Sequence, residues 1–193
     1  MSDFWHAALG LFAAVAPFGS SSAFEVLTRE LPGVRRGLVA VGGGAVALAF
    51  LAASALLSDP FFDLLAVSGE NFQLAAGLIM LPPAFQLLLR GEPLRVEEQH
   101  RVWWLAGLAP LAIPLLVGPA SVAAAIAYGW RYGSAETVGA SALVLVVSAI
   151  VVLAAPCLGR RPGLLSHITL GRFSGALLVV VAVELMIDGV RSV

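Results

Sequence analysis

The run VLVVSAIVVLAA at residues 144–155 contains no charged side chain. Its apolar residues do not alternate with polar ones, as they would in a membrane-spanning β-strand. Five more apolar stretches lie along the chain, so that the six together cover about residues 4–27, 37–57, 64–89, 103–127, 138–158 and 171–190. Since a spanning helix needs about 20 mainly apolar residues, the sequence predicts an all-α membrane protein with six transmembrane helices.

The composition supports this fold class and excludes others. Of the 193 residues, 60% are hydrophobic and 12% are charged. In soluble domains about 45–50% of the residues are apolar and about a quarter are charged. We therefore expect one transmembrane domain over residues 1–193 and no soluble enzyme. The basic residues are all arginines and the formal net charge is −1, so we expect no nucleic-acid partner.

The arginines also predict the orientation, because short basic loops stay in the cytoplasm. Two arginines, Arg131 and Arg191, lie in the fourth loop and at the carboxyl end. The other nine lie in or beside the first, third and fifth loops, at positions 29, 35, 36, 90, 95, 101, 160, 161 and 172. This distribution places both termini outside the cytoplasm. Met1-Ser2-Asp3 supplies no basic region, so we expect the first stretch to be a helix rather than a signal peptide.

Two of the six stretches are interrupted near the middle of the membrane. Residues 16–22 (APFGSSS) break helix 1, and Pro110, Pro114 and residues 118–121 (GPAS) break helix 4. Proline removes a backbone donor and glycine permits unusual dihedrals. Because helices 1 and 4 begin the two halves, the pattern predicts inverted three-helix repeats over residues 1–90 and 101–193.

These breaks are the candidate binding site. Irregular backbone at that depth must be buried in protein or line a wet cavity, and the half-helix that follows each break favours an anion such as a carboxylate. A second interpretation stays open, in which proline and glycine only kink the helices for packing. The candidate substrate-binding residues of the two breaks are Pro17, Gly19, Ser20, Ser21, Ser22, Pro114, Gly118, Pro119 and Ser121.

Helix 3 adds a further candidate, Asn71, which either faces the cavity or lies at the membrane interface. The run over residues 61–89 is longer than one span needs, so part of it is expected to be a re-entrant or interfacial piece.

Glu184 is the candidate coupling residue, because an acid inside a membrane helix usually has a functional reason. It forms an i,i+4 pair with Asp188 on one face of helix 6. We expect Glu184 to bind a coupling proton or the ammonium of a substrate. Asp188 lies nearer the helix end, where a solvated or paired acid is the simpler interpretation.

No cofactor, metal or catalytic centre is expected. The three histidines, His6, His100 and His167, lie in separate regions, and no ligand spacing or phosphate-binding loop occurs. Gly171 and Gly175 form a small-xxx-small pair for helix packing. Such contacts occur within one chain or between chains, so the sequence leaves an oligomer open.

The segment APLAIPLLVGPAS at residues 109–121 resembles the PLAIPLLxGPG signature of the MarC family of bacterial inner-membrane proteins. Pro17-Phe18-Gly19, the stretch from Ser68 to Gly77, and the ending from Gly175 to Gly189 are similar to other segments of that family. The resemblance implies six helices with outward-facing termini in the bacterial inner membrane. It also implies a relationship to transporters of small neutral amino acids such as glycine and alanine, within a superfamily that resembles the lysine exporters.

The sequence departs from the family pattern at four positions. Ala16 replaces an asparagine, Ser22 a proline, Ala120 a glycine and Glu184 a glutamine. The change at position 16 removes an amide donor and acceptor from the expected site.

Together these features predict a secondary transporter that moves a small solute, most simply a small neutral amino acid, by alternating access. Its expected partners are that small-molecule substrate, membrane lipid and a coupling proton or sodium ion. Two alternatives remain: a cation or metal transporter of the same superfamily, and a membrane structural or assembly protein without transport.

Overall fold

A computed structural model describes residues 2–17, 24, 28, 32–91, 117–154 and 164–191 of the chain. In this part of the chain every regular element is a helix. The helices are α1 (Ser2–Val15), α2 (Gly33–Leu56), α3 (Ser58–Leu65), α4 (Gly69–Arg90), α5 (Pro119–Tyr132), α6 (Ser134–Ala154) and α7 (Leu164–Arg191).

Four of these helices are long and apolar enough to cross a membrane, over residues 33–56, 69–90, 134–153 and 168–191. They confirm the all-helical membrane class and account for four of the six predicted spans. Helices α1 and α5 have 14 residues each, which corresponds to about 21 Å at 1.5 Å per residue, less than the roughly 30 Å of a hydrocarbon core. Most of the remaining residues of the first and fourth apolar stretches lie outside the described ranges.

The third apolar stretch divides into two helices. The short helix α3 ends at Leu65 and is followed by Ala66, which has a left-handed backbone (φ 51°). Helix α4 begins after Ser68. The Ser68 hydroxyl accepts a hydrogen bond from the Asn71 N–H at 3.4 Å and so caps the helix. The expectation that this run exceeds a single span is thus confirmed, because α3 is a separate piece.

Helices α4 and α7 form the most extensive helix pair, and they run antiparallel with glycines at the contact. At one end, a Cβ on Gly189 would lie 2.7 Å from the Glu70 carbonyl oxygen. Towards the other end, Gly175 faces the backbone of residues 84–88, and Gly171 faces the backbone of Gly91. The predicted packing role of Gly171 and Gly175 is confirmed, since both allow two helix backbones to touch.

Hydroxyl side chains buried in α6 are satisfied within their own helix. Thr137, Ser141 and Ser148 each donate to the carbonyl oxygen four residues earlier, at 3.0, 2.7 and 2.7 Å. A polar atom in an apolar bundle needs such a partner. These local bonds explain how α6 carries hydroxyl groups through a membrane segment.

Helix α1 ends at the predicted break. Ala16 has a positive φ of 47°, and its N–H donates to the Phe12 carbonyl oxygen at 3.1 Å. Pro17, which follows, is buried. The left-handed region disfavours alanine but is tolerated by asparagine, the residue that the resemblance implies at this position.

We expect Ala16→Gly to raise the free energy of unfolding by up to about 1 kcal/mol, because relief of the left-handed backbone exceeds the entropic cost of glycine. Ala14→Gly, inside α1, should lower the stability by about 0.5–1 kcal/mol. Thermal unfolding in detergent measures the stability of both variants relative to the wild type. Equal destabilisation by the two substitutions would contradict the left-handed conformation of Ala16.

Candidate functional site

A cleft lined by apolar and charged side chains lies between α1, α5 and α7 at one end of the bundle. Its cavity volume is about 80 Å³, which exceeds the roughly 10–15 Å³ that one water needs. Glu184, the predicted coupling residue, is one of the residues that line it. The full lining comprises His6, Leu9, Gly10, Tyr128, Arg131, Tyr132, Val181, Glu184, Leu185 and Asp188.

The cleft has a polar mouth and a closed floor. The mouth is formed by His6, Arg131, Tyr132 and Asp188, all of them exposed or half-buried. The floor, one helical turn or more deeper, consists of buried residues: Gly10, Tyr128, Val181 and Leu185. Glu184 precedes Asp188 by one turn on α7, about 6 Å closer to the floor. Depth in the cleft therefore follows the position of each residue along its helix.

An ion pair between Arg131 and Asp188 joins α5 to α7 at the mouth. The two side chains retain 32% and 24% of their exposure. The guanidinium carbon of Arg131 also lies 5.3 Å from the centroid of the Tyr132 ring, a cation–π arrangement. The pairing of Asp188 agrees with the simpler interpretation of that acid as a paired residue near a helix end.

Aromatic rings connect α1 and α5 beside this ion pair. The His6 and Tyr132 rings stack with centroids 6.3 Å apart, and Tyr132 stacks on Tyr128 at 5.6 Å. Below them, the Tyr128 ring lies against the backbone of Gly10, where a Cβ would come 2.5 Å from ring carbon Cε2. Gly10 thus lets a buried tyrosine close the floor.

Glu184 carries the excess charge of the cleft. Its side chain is exposed and lines the cavity. Within the part of the chain that the structure describes, no ion pair is recorded for it. Besides the imidazole of His6, the lining offers one arginine for the two carboxylates of Asp188 and Glu184. The cleft therefore suits a group that brings positive charge.

The break in helix 4 is the amino-terminal end of α5. Gly118 is the N-cap, with an extended backbone and no side-chain cap, and Pro119 is the first helical residue. The fully buried Ser121 donates its hydroxyl proton to the Gly118 carbonyl oxygen at 3.0 Å. Because the hydroxyl proton of Ser121 is used in this bond, its oxygen can only accept a hydrogen bond from any further partner.

The remaining predicted residues are distributed differently. Pro17, Gly118, Pro119 and Ser121 lie at the ends of α1 and α5 and are not among the lining residues of the cleft. Asn71 is exposed at the start of α4, as expected of an interfacial residue. The other candidates, Gly19, Ser20, Ser21, Ser22 and Pro114, lie outside the described residues.

Sequence reasoning missed most of the cleft. In the sequence, Arg131 indicates only the orientation, and His6 is an isolated residue near the amino terminus. One signal was present, because positions 128, 131 and 132 share a helix face at i, i+3 and i+4 spacing. Among the described residues, no group of three or more His, Cys, Asp or Glu side chains is arranged to hold a metal ion.

Comparison with known proteins agrees with this membrane architecture. The family model described as "MarC family integral membrane protein" matches residues 1–193. The UPF0056 membrane protein MJ1677 of Methanocaldococcus jannaschii is 29% identical, over 94% of this chain and 92% of its own length. The UPF0056 membrane protein YhcE of Escherichia coli is 24% identical, over 96% of this chain and 90% of its own. No solved structure matches the chain. The chain belongs to the MarC family of integral membrane proteins.

Proposed function

We propose that this protein is a secondary carrier that moves a small neutral amino acid across the membrane by alternating access. The observation that carries the proposal is the pair of helix interruptions. Helix α1 stops at Val15, before Pro17, and α5 starts at Pro119, after Gly118. In membrane carriers, interrupted helices in the two halves surround the substrate site.

Contacts between the helices support the proposed inverted repeat. If α1 corresponds to α5, α2 to α6 and α4 to α7, each helix packs against its own counterpart. The contact of α1 with α6 also has its equivalent in the contact of α5 with α2, and α4–α5 has its equivalent in α7–α1. A two-fold relation between the halves requires such exchange of contacts. Rocking of one half against the other would then alternate the access.

The start of α5 supplies the chemistry for a substrate carboxylate. The first N–H groups of a helix have no partner within the helix, and the helix dipole adds partial positive charge there. Gly118 has no side chain to cap them, and Ala120 and Ser121 beside it are buried. A helix start whose N-cap residue has no capping side chain is a favourable place for a small anion.

Glu184 supplies the opposite charge in this proposal. An acid at this position of α7 binds either the ammonium of the substrate or a coupling proton. Glu184 lies beside residues 128–132 of α5, about 15 Å along that helix from Gly118, so one amino acid contacts the helix start and Glu184 in succession rather than together. A proton or sodium gradient then drives the transport, and no cofactor or covalent chemistry is needed. The arginine distribution supports an orientation with both termini outside the cytoplasm, so that the cleft opens outwards. The family resemblance supports the bacterial inner membrane as the location.

Uptake into proteoliposomes tests the proposal. Purified protein should accumulate labelled glycine and alanine with saturable kinetics, and an imposed pH gradient should change the rate if a proton is coupled. Protein-free liposomes provide the background. If the reconstituted, folded protein gives no uptake above that background for glycine or alanine, the proposal is wrong.

A further inference from the structure

We propose that the cleft is a recognition site for a free α-amino acid, in which the substrate carboxylate replaces Asp188 on Arg131 while the substrate ammonium binds Glu184. This inference rests on the proposed transport of amino acids and adds a second binding position, apart from the helix breaks. It follows from the ion pair, the excess carboxylate and the shape of the cleft.

The ion pair at the mouth can be exchanged at low cost. Both side chains are partly exposed, and ion pairs of this kind contribute little net stability because water competes for each charge. A guanidinium offers five N–H donors in a planar fork that matches a carboxylate, and Nη1 is the atom that contacts Asp188. A second carboxylate can therefore share or take over Arg131, with Asp188 held nearby by α7.

Glu184 lies where the ammonium of the same molecule would point. It is one turn closer to the floor than Asp188, on the same face of α7. An α-amino acid with its carboxylate on Arg131 extends from the mouth towards this position. Once Asp188 is released, two acids face one ammonium, so the charges of the cleft and of a zwitterion complement one another.

The apolar lining of the cleft favours a small side chain. Leu9, Val181 and Leu185 provide apolar surface, and the contact of Tyr128 with Gly10 closes the floor. With a cavity volume of about 80 Å³, the cleft accommodates glycine or alanine better than leucine or phenylalanine. The affinity should decrease in the order alanine, leucine, phenylalanine.

Equilibrium binding to the full-length protein in nanodiscs tests the inference, with alanine and alaninamide as probes. Alaninamide keeps the ammonium and lacks the carboxylate. The Arg131→Gln substitution should weaken the binding of alanine about tenfold or more, as expected for loss of a charged hydrogen bond. It should leave the affinity for alaninamide nearly unchanged. The Glu184→Gln substitution should weaken the binding of both ligands, because both carry the ammonium group. Asp188→Asn should bind alanine at least as tightly as the wild type, because the competing carboxylate is gone.

The variants separate recognition from a merely structural role. If the Arg131→Gln and Asp188→Asn substitutions weaken the binding of alanine equally, the ion pair only supports the fold, and the inference is wrong. It is also wrong if the cleft variants bind and transport alanine like the wild type, an outcome that leaves the carrier function intact. A wild-type protein that transports no amino acid overturns the proposed function itself. Should Arg131→Gln fail to fold, the opposite effects of Glu184→Gln and Asp188→Asn still decide.

Discussion

Replacement of Gly175 by leucine is expected to separate α4 from α7 and to leave little folded protein. A Cβ at this position would lie 2.9 Å from the Ala84 carbonyl oxygen and from the Leu87 carbonyl carbon, and it would also meet the Leu88 nitrogen. These atoms belong to a helix backbone, which cannot rotate away as a side chain can. Overpacking by single methylene groups costs about 1–3 kcal/mol, so a whole leucine against backbone should cost more than about 3 kcal/mol.

Thermal unfolding and size-exclusion chromatography in detergent measure this effect. Gly42→Leu is the matched control, because Gly42 lies in the spanning helix α2 and nothing is found within 4 Å of a Cβ built there. The control should keep a wild-type elution volume and unfolding midpoint. A Gly175→Leu protein as stable as the control would contradict the close backbone contact of α4 and α7.

The second large effect is expected at the helix break, where Gly118→Leu should reduce amino-acid uptake by about tenfold or more while the protein stays folded. Gly118 has φ −81° and ψ 169°, an extended conformation that leucine adopts without strain. The bonds that use its carbonyl oxygen, from Ser121 Oγ and from the Val122 N–H, do not depend on the side chain. The substitution therefore acts mainly by filling the break.

Gly118→Ala is the control for size, because alanine adds one methyl group and no side chain that could cap the helix start. It should retain most of the uptake and the unfolding midpoint of the wild type. Initial rates of labelled alanine uptake compare the three proteins at equal reconstituted amounts. Wild-type uptake by Gly118→Leu would show that the break in helix 4 is not part of the substrate path.

Hydropathy predicted the long elements of this fold because length and apolar content alone define a membrane-spanning helix. Helices α2, α4, α6 and α7 overlap the predicted stretches, with ends that differ by at most seven residues. The separation of α3 from α4 was less visible, because the left-handed residue at the junction is Ala66 rather than a glycine or asparagine. Nothing in the apolar pattern marks a backbone reversal at an alanine.

The cleft was harder to predict because it exists only in the tertiary structure. Its lining comes from three separate segments, around positions 6–10, 128–132 and 181–188. Sequence spacing related Glu184 to Asp188 within one helix, but it could not relate Asp188 to Arg131, 57 positions away. Only the packing of α5 and α7 against the same neighbours, α1 and α4, brings these charges together.

Counterflow in proteoliposomes tests the central claim, alternating access to a small amino acid, most directly. Vesicles loaded with unlabelled alanine and diluted into a trace of labelled alanine should accumulate the label transiently, well above vesicles without internal alanine. Only a site that faces one side at a time, and returns faster when occupied, produces this exchange. Uptake of label that is equal with and without internal alanine, or that never exceeds protein-free vesicles, would contradict the account.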